Sequence, residues 1–229
     1  MTRLVIAIDG PAGAGKSTVS RRLAERLGYR YVDTGAMYRV IGVLAAERHI
    51  DVADSAALAA LCDATQMEFV DRDGQIRCLA DGRDLSAVIR TPEAAHLASL
   101  VSTVPVVRER LVAKQRTMGA SGGVVMEGRD IGTVVFPDAP VKVFLDAAPA
   151  ERARRRAGEL PGGATADRIE QMTREIAERD ARDRTRAHSP LQPAPDAVIV
   201  DTTTDSIDAV VDALRALVAK RAATLASHS

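Results

Sequence analysis

Residues Gly10-Pro11-Ala12-Gly13-Ala14-Gly15-Lys16-Ser17 spell a complete G-x-x-x-x-G-K-[ST] pattern, and its surroundings are those its chemistry requires. Before it, Leu4-Val5-Ile6-Ala7-Ile8 is a short, β-branched apolar run that reads as a buried strand. After it, Thr18 to Leu27 places Val19, Leu23 and Leu27 four apart, one apolar face of a helix. Strand, glycine-rich loop and helix form a phosphate cradle: the glycines let backbone N–H groups converge, and the helix N-terminus adds free donors and partial positive charge. Gly10, Pro11, Ala12, Gly13, Ala14, Gly15, Lys16, Ser17 and Thr18 are therefore expected to bind a nucleoside triphosphate. Lys16 would reach the β- and γ-phosphates and the Ser17 hydroxyl would hold Mg²⁺. The loop alone does not say what the triphosphate is used for.

The rest of the chain continues the α/β pattern. Tyr29 to Val32 reads as a second strand ending at Asp33-Thr34-Gly35, and Ala36 to Glu47 as a helix with Met37, Val40, Ile41 and Leu44 on one face. At about residue 64 the pattern changes. Met67–Val70 and Gln75–Ala80, separated by Asp71-Arg72-Asp73-Gly74, read as a small antiparallel hairpin. Thr91 to Gln115 returns to helical patterning, interrupted near Pro105. Buried strands follow at Gly123–Met126 and Val141–Leu145, ending in Glu127-Gly128-Arg129-Asp130 and in Asp146. Glu151 to Arg156 is arginine-rich, Gly158–Gly163 reads as a flexible tip, and Ala166 to about Arg184 as a charged helix. Ala197–Val200 is the last strand, and Ser206 to Ala222 a closing amphipathic helix. The expected organisation is a core of residues 1–63 and 101–229, with a lid over about 152–168, and an insertion at 64–100.

Composition narrows the partners. Apolar residues make up 46% of the 229, and aromatics only 3%, with no Trp. Basic and acidic residues balance at 31 each, so no net field draws the chain to nucleic acid or to an anionic membrane. Cys62 and Cys78 have neither C-x-x-C nor zinc spacing and read as reduced, structural thiols. No apolar run approaches the ~20 residues that span a bilayer, and the first strand starts too early to leave room for a secretory signal. A soluble cytoplasmic monomer with small-molecule partners is expected.

In an open parallel sheet, ligands bind beyond the carboxyl ends of the strands. Those ends carry Gly10–Ser17, Asp33–Arg39, Glu127–Asp130 and Asp146. Several arginines among them suggest more phosphate than one nucleotide brings, since arginine binds phosphate bidentately and stays charged. In Glu178–Arg186, helical spacing would put Arg179, Arg182, Asp183 and Arg186 on one face. That face is either a solvated stripe of salt bridges or a phosphate clamp. Arg152, Arg154, Arg155 and Arg156 suit a closing lid over transferring phosphates. The histidines His49, His96, His188 and His228 are scattered and read as surface residues. A small-molecule kinase of another substrate, such as shikimate or a nucleoside, and a nucleotide-dependent switch or RNA-binding module stay open on these residues alone.

Five segments together resemble the bacterial cytidylate kinases over nearly the whole chain. They are Ile8–Ser17, Asp33-Thr34-Gly35-Ala36-Met37-Tyr38-Arg39, Glu127-Gly128-Arg129-Asp130-Ile131-Gly132-Thr133, Val135-Phe136-Pro137-Asp138-Ala139 and Arg179–Arg186. Glu127 stands where many relatives carry Asp, with the charge kept. The resemblance implies a P-loop kinase fold: a parallel five-stranded sheet flanked by helices, with an enlarged monophosphate-binding insertion and a short lid. It implies transfer of the γ-phosphoryl of ATP to CMP or dCMP, with Mg²⁺. Lys16, Arg129 and Arg179 would be catalytic. Arg39, Arg129 and Arg186 would grip the acceptor phosphate, beside Asp33 and Tyr38. Ser99, Arg108 and Asp130 would read the cytosine edge, and Asp183 would hold the ribose. A carboxylate suits the cytosine amino group and disfavours the uracil carbonyl in its place.

Overall fold

The computed structural model describes residues 3–72, 75–159, 162–186 and 189–227. In chain order the first elements are β1 (Val5–Asp9), α1 (Lys16–Leu27), β2 (Arg30–Asp33), α2 (Thr34–Glu47) and α3 (Ser55–Ala64). Then come β3 (Met67–Arg72), β4 (Gln75–Ala80), β5 (Arg83–Asp84), α4 (Pro92–Val101) and α5 (Pro105–Gly119). The remainder is β6 (Val124–Gly128), β7 (Val141–Asp146), α6 (Pro149–Gly158), α7 (Ala166–Thr185), β8 (Val198–Asp201) and α8 (Ile207–Ala226). They divide into two units, Met1–Tyr31 with Ser121–Ser229, and Val32–Ala120.

The first unit is built on the parallel sheet, five strands in the order β2-β6-β1-β7-β8. β1 is central: Val5 to Asp9 face Val124 to Gly128 of β6, and Ile6 to Asp9 face Val141 to Phe144 of β7. β6 is buried throughout, as is β7 up to Asp146. Strands covered on both faces are mostly apolar, as here, where Lys142 and Glu127 are the charged residues within the buried stretches. α1 and α8 pack together over this sheet, with Ile6, Leu23, Val125, Leu145, Val211 and Leu214 in one core. Arg22 and Arg26 fasten the outer faces of the two helices to Asp208 and Asp212. α6 and α7 pack on each other around a small core of their own, Ala153, Ala157, Met172 and Ile176. Of the expected tip at Gly158–Gly163, Leu160 and Pro161 lie outside the described residues.

The second unit holds α2 to α5 and a three-stranded antiparallel sheet, β3-β4-β5. The hairpin expected from the Asp-Gly turn forms, with Met67 opposite Ala80 and Arg72 opposite Gln75; Asp73 and Gly74 lie outside the described residues. Helix starts follow their caps. Asp33 and Asp54 accept N–H bonds from Ala36 and Ala57, and Thr91 caps α4 ahead of Pro92. Pro105, expected as an interruption, is the first residue of α5, the position proline tolerates best. α2 crosses α4 at Gly42, where a Cβ would come within 2.9 Å of the Leu97 Cβ. Met37, Ile41, Leu58, Leu85 and Leu111 fill the core. Cys62 and Cys78 lie free in it, and burial pushes both thiols up to about 11, which leaves them unreactive. The segment expected as the insertion, 64–100, falls in this unit together with α2, α3 and α5.

Candidate active site

β1 delivers the chain into the loop through Asp9 and Gly10. At Gly10 φ is +148°, and a Cβ would lie 2.0 Å from the Leu145 carbonyl oxygen on β7, so only glycine fits. α1 then starts from Gly15, with no side chain capping its first turn. Those N–H groups and the helix dipole favour an anion there. Lys16 is buried, its Nζ donating to the Pro11 carbonyl at 2.7 Å. Burial foremost, then the neighbouring Arg129 and Arg179, push its pKa down to about 7, against the opposing pull of Glu127 and Asp9. Burial and the two guanidiniums outweigh those carboxylates, and a bound phosphate would add negative charge beside the ammonium. The Ser17 side chain stands exposed in the first turn of α1.

The arginines of α6 do not all face solvent or phosphate as the sequence suggests. Arg152 is buried and fastens the loop from behind. Its Nε donates to the Ala147 carbonyl at 3.0 Å, and one guanidinium nitrogen donates to the Ala12 carbonyl at 3.1 Å and to Asp180 at 2.6 Å. Arg155 donates to the Thr202 hydroxyl at 3.0 Å, and that hydroxyl donates to the Ala14 carbonyl at 3.1 Å. Arg154 and Arg156 sit in exposed pairs with Glu151 and Glu159. Such pairs contribute little to stability.

A second cationic group gathers on Asp183. The Arg129 Nε donates to it at 3.0 Å, and Arg179 and Arg186 lie 3.9 and 3.7 Å from its oxygens. Burial alone would raise this carboxyl; Arg129, then Arg179 and Arg186, outweigh burial and hold it below the ordinary carboxylate range. Three guanidiniums around one carboxylate leave an excess of positive charge on one side of α7. The face departs from expectation at Arg182, whereas Arg186 stays within reach of Asp183. α7 ends at Thr185, so Arg186 takes extended backbone, and Arg182 is exposed. Arg186 also donates from its Nε to the Ser189 carbonyl. Asp130 is buried just beyond β6. Glu127, also buried, accepts a hydrogen bond from the Tyr31 hydroxyl.

In the second unit, Asp33 both caps α2 and accepts from Arg39 at 2.6 Å. Arg108 is buried in the first turn of α5, its guanidinium 5.6 Å from the centre of the Tyr38 ring, within cation–π range. It also donates to the Ser102 carbonyl at 3.5 Å, and the Ser102 hydroxyl donates to the carbonyl of buried Ser99. Thus Tyr38 and Arg108 are drawn together, as are Asp33 and Arg39, and Ser99 is linked to Arg108 through Ser102. Within the first unit, Lys16, Arg129, Arg179, Asp183 and Arg186 form one electrostatic group. His49 and His96 are exposed, and His188 and His228 lie outside the described residues. Asp9 and Thr202 touch the loop or its neighbouring turn and were given no role in the sequence reading, and Arg152, read there as part of a lid, is instead buried behind the loop. Of these, only Asp9, an acid at a strand end beside the loop, carries a local signal in the sequence.

A loop of this form at the end of a central parallel strand, with a buried lysine and arginines beyond the neighbouring strand, defines a P-loop kinase. The fold is also that of a solved gluconokinase from Sinorhizobium meliloti 1021, with a TM-score of 0.51 at 17% identity over 100% of this chain and 98% of that one. The sequence comparisons go further. A family model described as cytidylate kinase matches residues 6–220. A cytidylate kinase from Pelotomaculum thermopropionicum is 52% identical over 90% of this chain and 92% of its own. Relatives of the same name from Syntrophotalea carbinolica and Shigella boydii are 48% and 47% identical, over 96% and 91% of this chain and 93% and 92% of their own. The chain belongs to the cytidylate kinase family.

Proposed function

We propose that this enzyme transfers the γ-phosphoryl of ATP to CMP or dCMP, giving ADP and CDP or dCDP. The observation that carries the reading is the convergence of Arg129, Arg179 and Arg186 on buried Asp183, in the unit that holds the phosphate loop. Gly10 to Thr18 bind the donor. Lys16, Arg129 and Arg179 neutralise charge on the transferring phosphoryl, and positioning does the rest, since in-line transfer asks no covalent work of the protein. A bound triphosphate favours the protonated form of Lys16. On the acceptor, Arg39, Arg129 and Arg186 take the phosphate, with Asp33 and Tyr38 setting the Arg39 segment. Asp183 takes the ribose hydroxyls, and Ser99, Arg108 and Asp130 read the base.

Mg²⁺ fits this donor set. Ser17 presents its hydroxyl at the first turn, and the described residues contain no cluster of three or more acidic, histidine or cysteine side chains. The ion would take its other ligands from phosphate oxygens and water, as Mg²⁺ commonly does. When bound it neutralises charge on the transferring group.

The working form is proposed as a cytoplasmic monomer acting on small molecules, without nucleic acid. No helix among the described residues is long and apolar enough to cross a membrane. Coupled ADP release with a panel of monophosphates tests the reading. CMP and dCMP are expected to turn over fastest; faster turnover of UMP or AMP overturns the cytosine assignment.

A further inference from the structure

Arg129 and Asp130 occupy a two-residue bridge, and Asp9 controls both of its ends. On one side is Gly128, the last residue of β6, which lies opposite Asp9 in the parallel ladder. On the other is a single wide turn over 131–135. There the N–H groups of Val134 and Val135 bond the Asp130 carbonyl, and Phe136 bonds that of Ile131. An aspartate at the start of a helical turn ordinarily caps it with its own side chain. Asp130 holds that position and does not cap. The cap comes from Asp9: Oδ1 accepts from Ile131 N and Oδ2 from Gly132 N, both at 2.8 Å. Behind the turn, a Cβ on Gly132 would lie 3.3 Å from the Lys142 stem, and Lys142 is itself fixed by Asp196. Asp9 is almost wholly buried, and the next residue along the chain is Gly10, the first of the phosphate loop.

We propose that Asp9 is a positioning residue for acceptor recognition, capping from β1 the turn that follows Arg129 and Asp130. The two bonds from Asp9 fix the backbone immediately after Arg129 and Asp130, and with it the place from which both side chains start. Both Asp9 oxygens are taken by backbone donors, so its role is to hold a segment rather than to touch substrate. The inference rests on the proposed CMP-directed activity.

The test is steady-state kinetics of the full-length enzyme carrying Asp9→Asn, a near-isosteric change that sets an NH₂ against one of the two N–H donors. Native enzyme is assayed first; failure to release ADP with CMP refutes the activity reading itself. With activity established, Asp9→Asn is expected to raise KM for CMP about tenfold or more, since small misplacements of a bound substrate are costly, and to leave KM for ATP within about twofold. The preference for CMP over UMP is expected to fall in parallel. If both KM values hold, or both rise together, the positioning role is wrong and Asp9 is merely structural. Should Asp9→Asn fail to fold, Asp9→Ser keeps one acceptor. It is expected to give a smaller rise in KM for CMP alone, and an unchanged value overturns the proposal.

Discussion

Lys16 shows how much one side chain depends on its surroundings. Buried, bonded to the Pro11 carbonyl and faced by Arg129 and Arg179, it is poised to meet phosphate rather than to stabilise the fold. Lys16→Ala is therefore expected to lower kcat by about 10²-fold or more, as loss of one transition-state donor does, with a smaller change in KM for ATP. A single-turnover assay checks this, and an unchanged rate removes Lys16 from the chemistry. Asp9 gives a prediction in pH. Burial, helped by Asp130, pushes its carboxyl up to about 6 against two N–H bonds and Lys16. The folded protein thus holds this proton where the unfolded chain has lost it. The stabilising contribution is full below about pH 4 and is lost as pH rises through about 6. Denaturant unfolding of native and Asp9→Asn protein should differ in slope across that window, native falling relative to the variant. A constant difference contradicts it. At this scale the phosphate loop was legible because its chemistry is local. Asp9's partners lie 122 and 123 residues away, and nothing in the sequence near Asp9 names them.

At the scale of elements, α6 and α7 are joined by one buried ion pair. Arg152 and Asp180 meet at 2.6 Å, and the same guanidinium holds the Ala12 and Ala147 carbonyls. Removing one member of a buried pair strands the other. Arg152→Met is expected to cost about 3–5 kcal/mol by chemical denaturation, together with weaker ATP binding as the loop loses its brace. Asp180→Asn, which keeps an acceptor oxygen, should cost less; equal losses would contradict the ion pair as the fastening. Arginine is rarely buried, so a run of four arginines reads as a surface, and the sequence does not show which one finds a buried acid. The helix α3 escaped for another reason. Ser55–Ala64 is alanine-rich, with Leu58, Leu61 and Cys62 inward, and its clearest mark was the Asp54 cap rather than a broad apolar stripe. The end of α7, read at about Arg184, falls at Thr185.

At the scale of the whole chain, the two units have separate cores, and a cavity in one should be felt there first. Leu58→Ala is expected to destabilise by about 2–5 kcal/mol. Amide exchange should quicken mainly within Val32–Ala120, whose core holds Leu58, rather than along β1, β6 and β7. Equal loss of protection in both units contradicts this. The parallel sheet was legible because its interior strands are mostly apolar on both faces. The helical packing of the second unit was less so, because Gly42 and the proline-led helix starts set it more than periodicity does. The chain has no Trp and only three tyrosines, all between positions 29 and 38. One lies beneath the Arg108 guanidinium and another donates to Glu127. Intrinsic emission of the protein therefore comes from this single stretch, so a nucleotide that disturbs Arg108 or Glu127 can be titrated by tyrosine fluorescence without any attached dye.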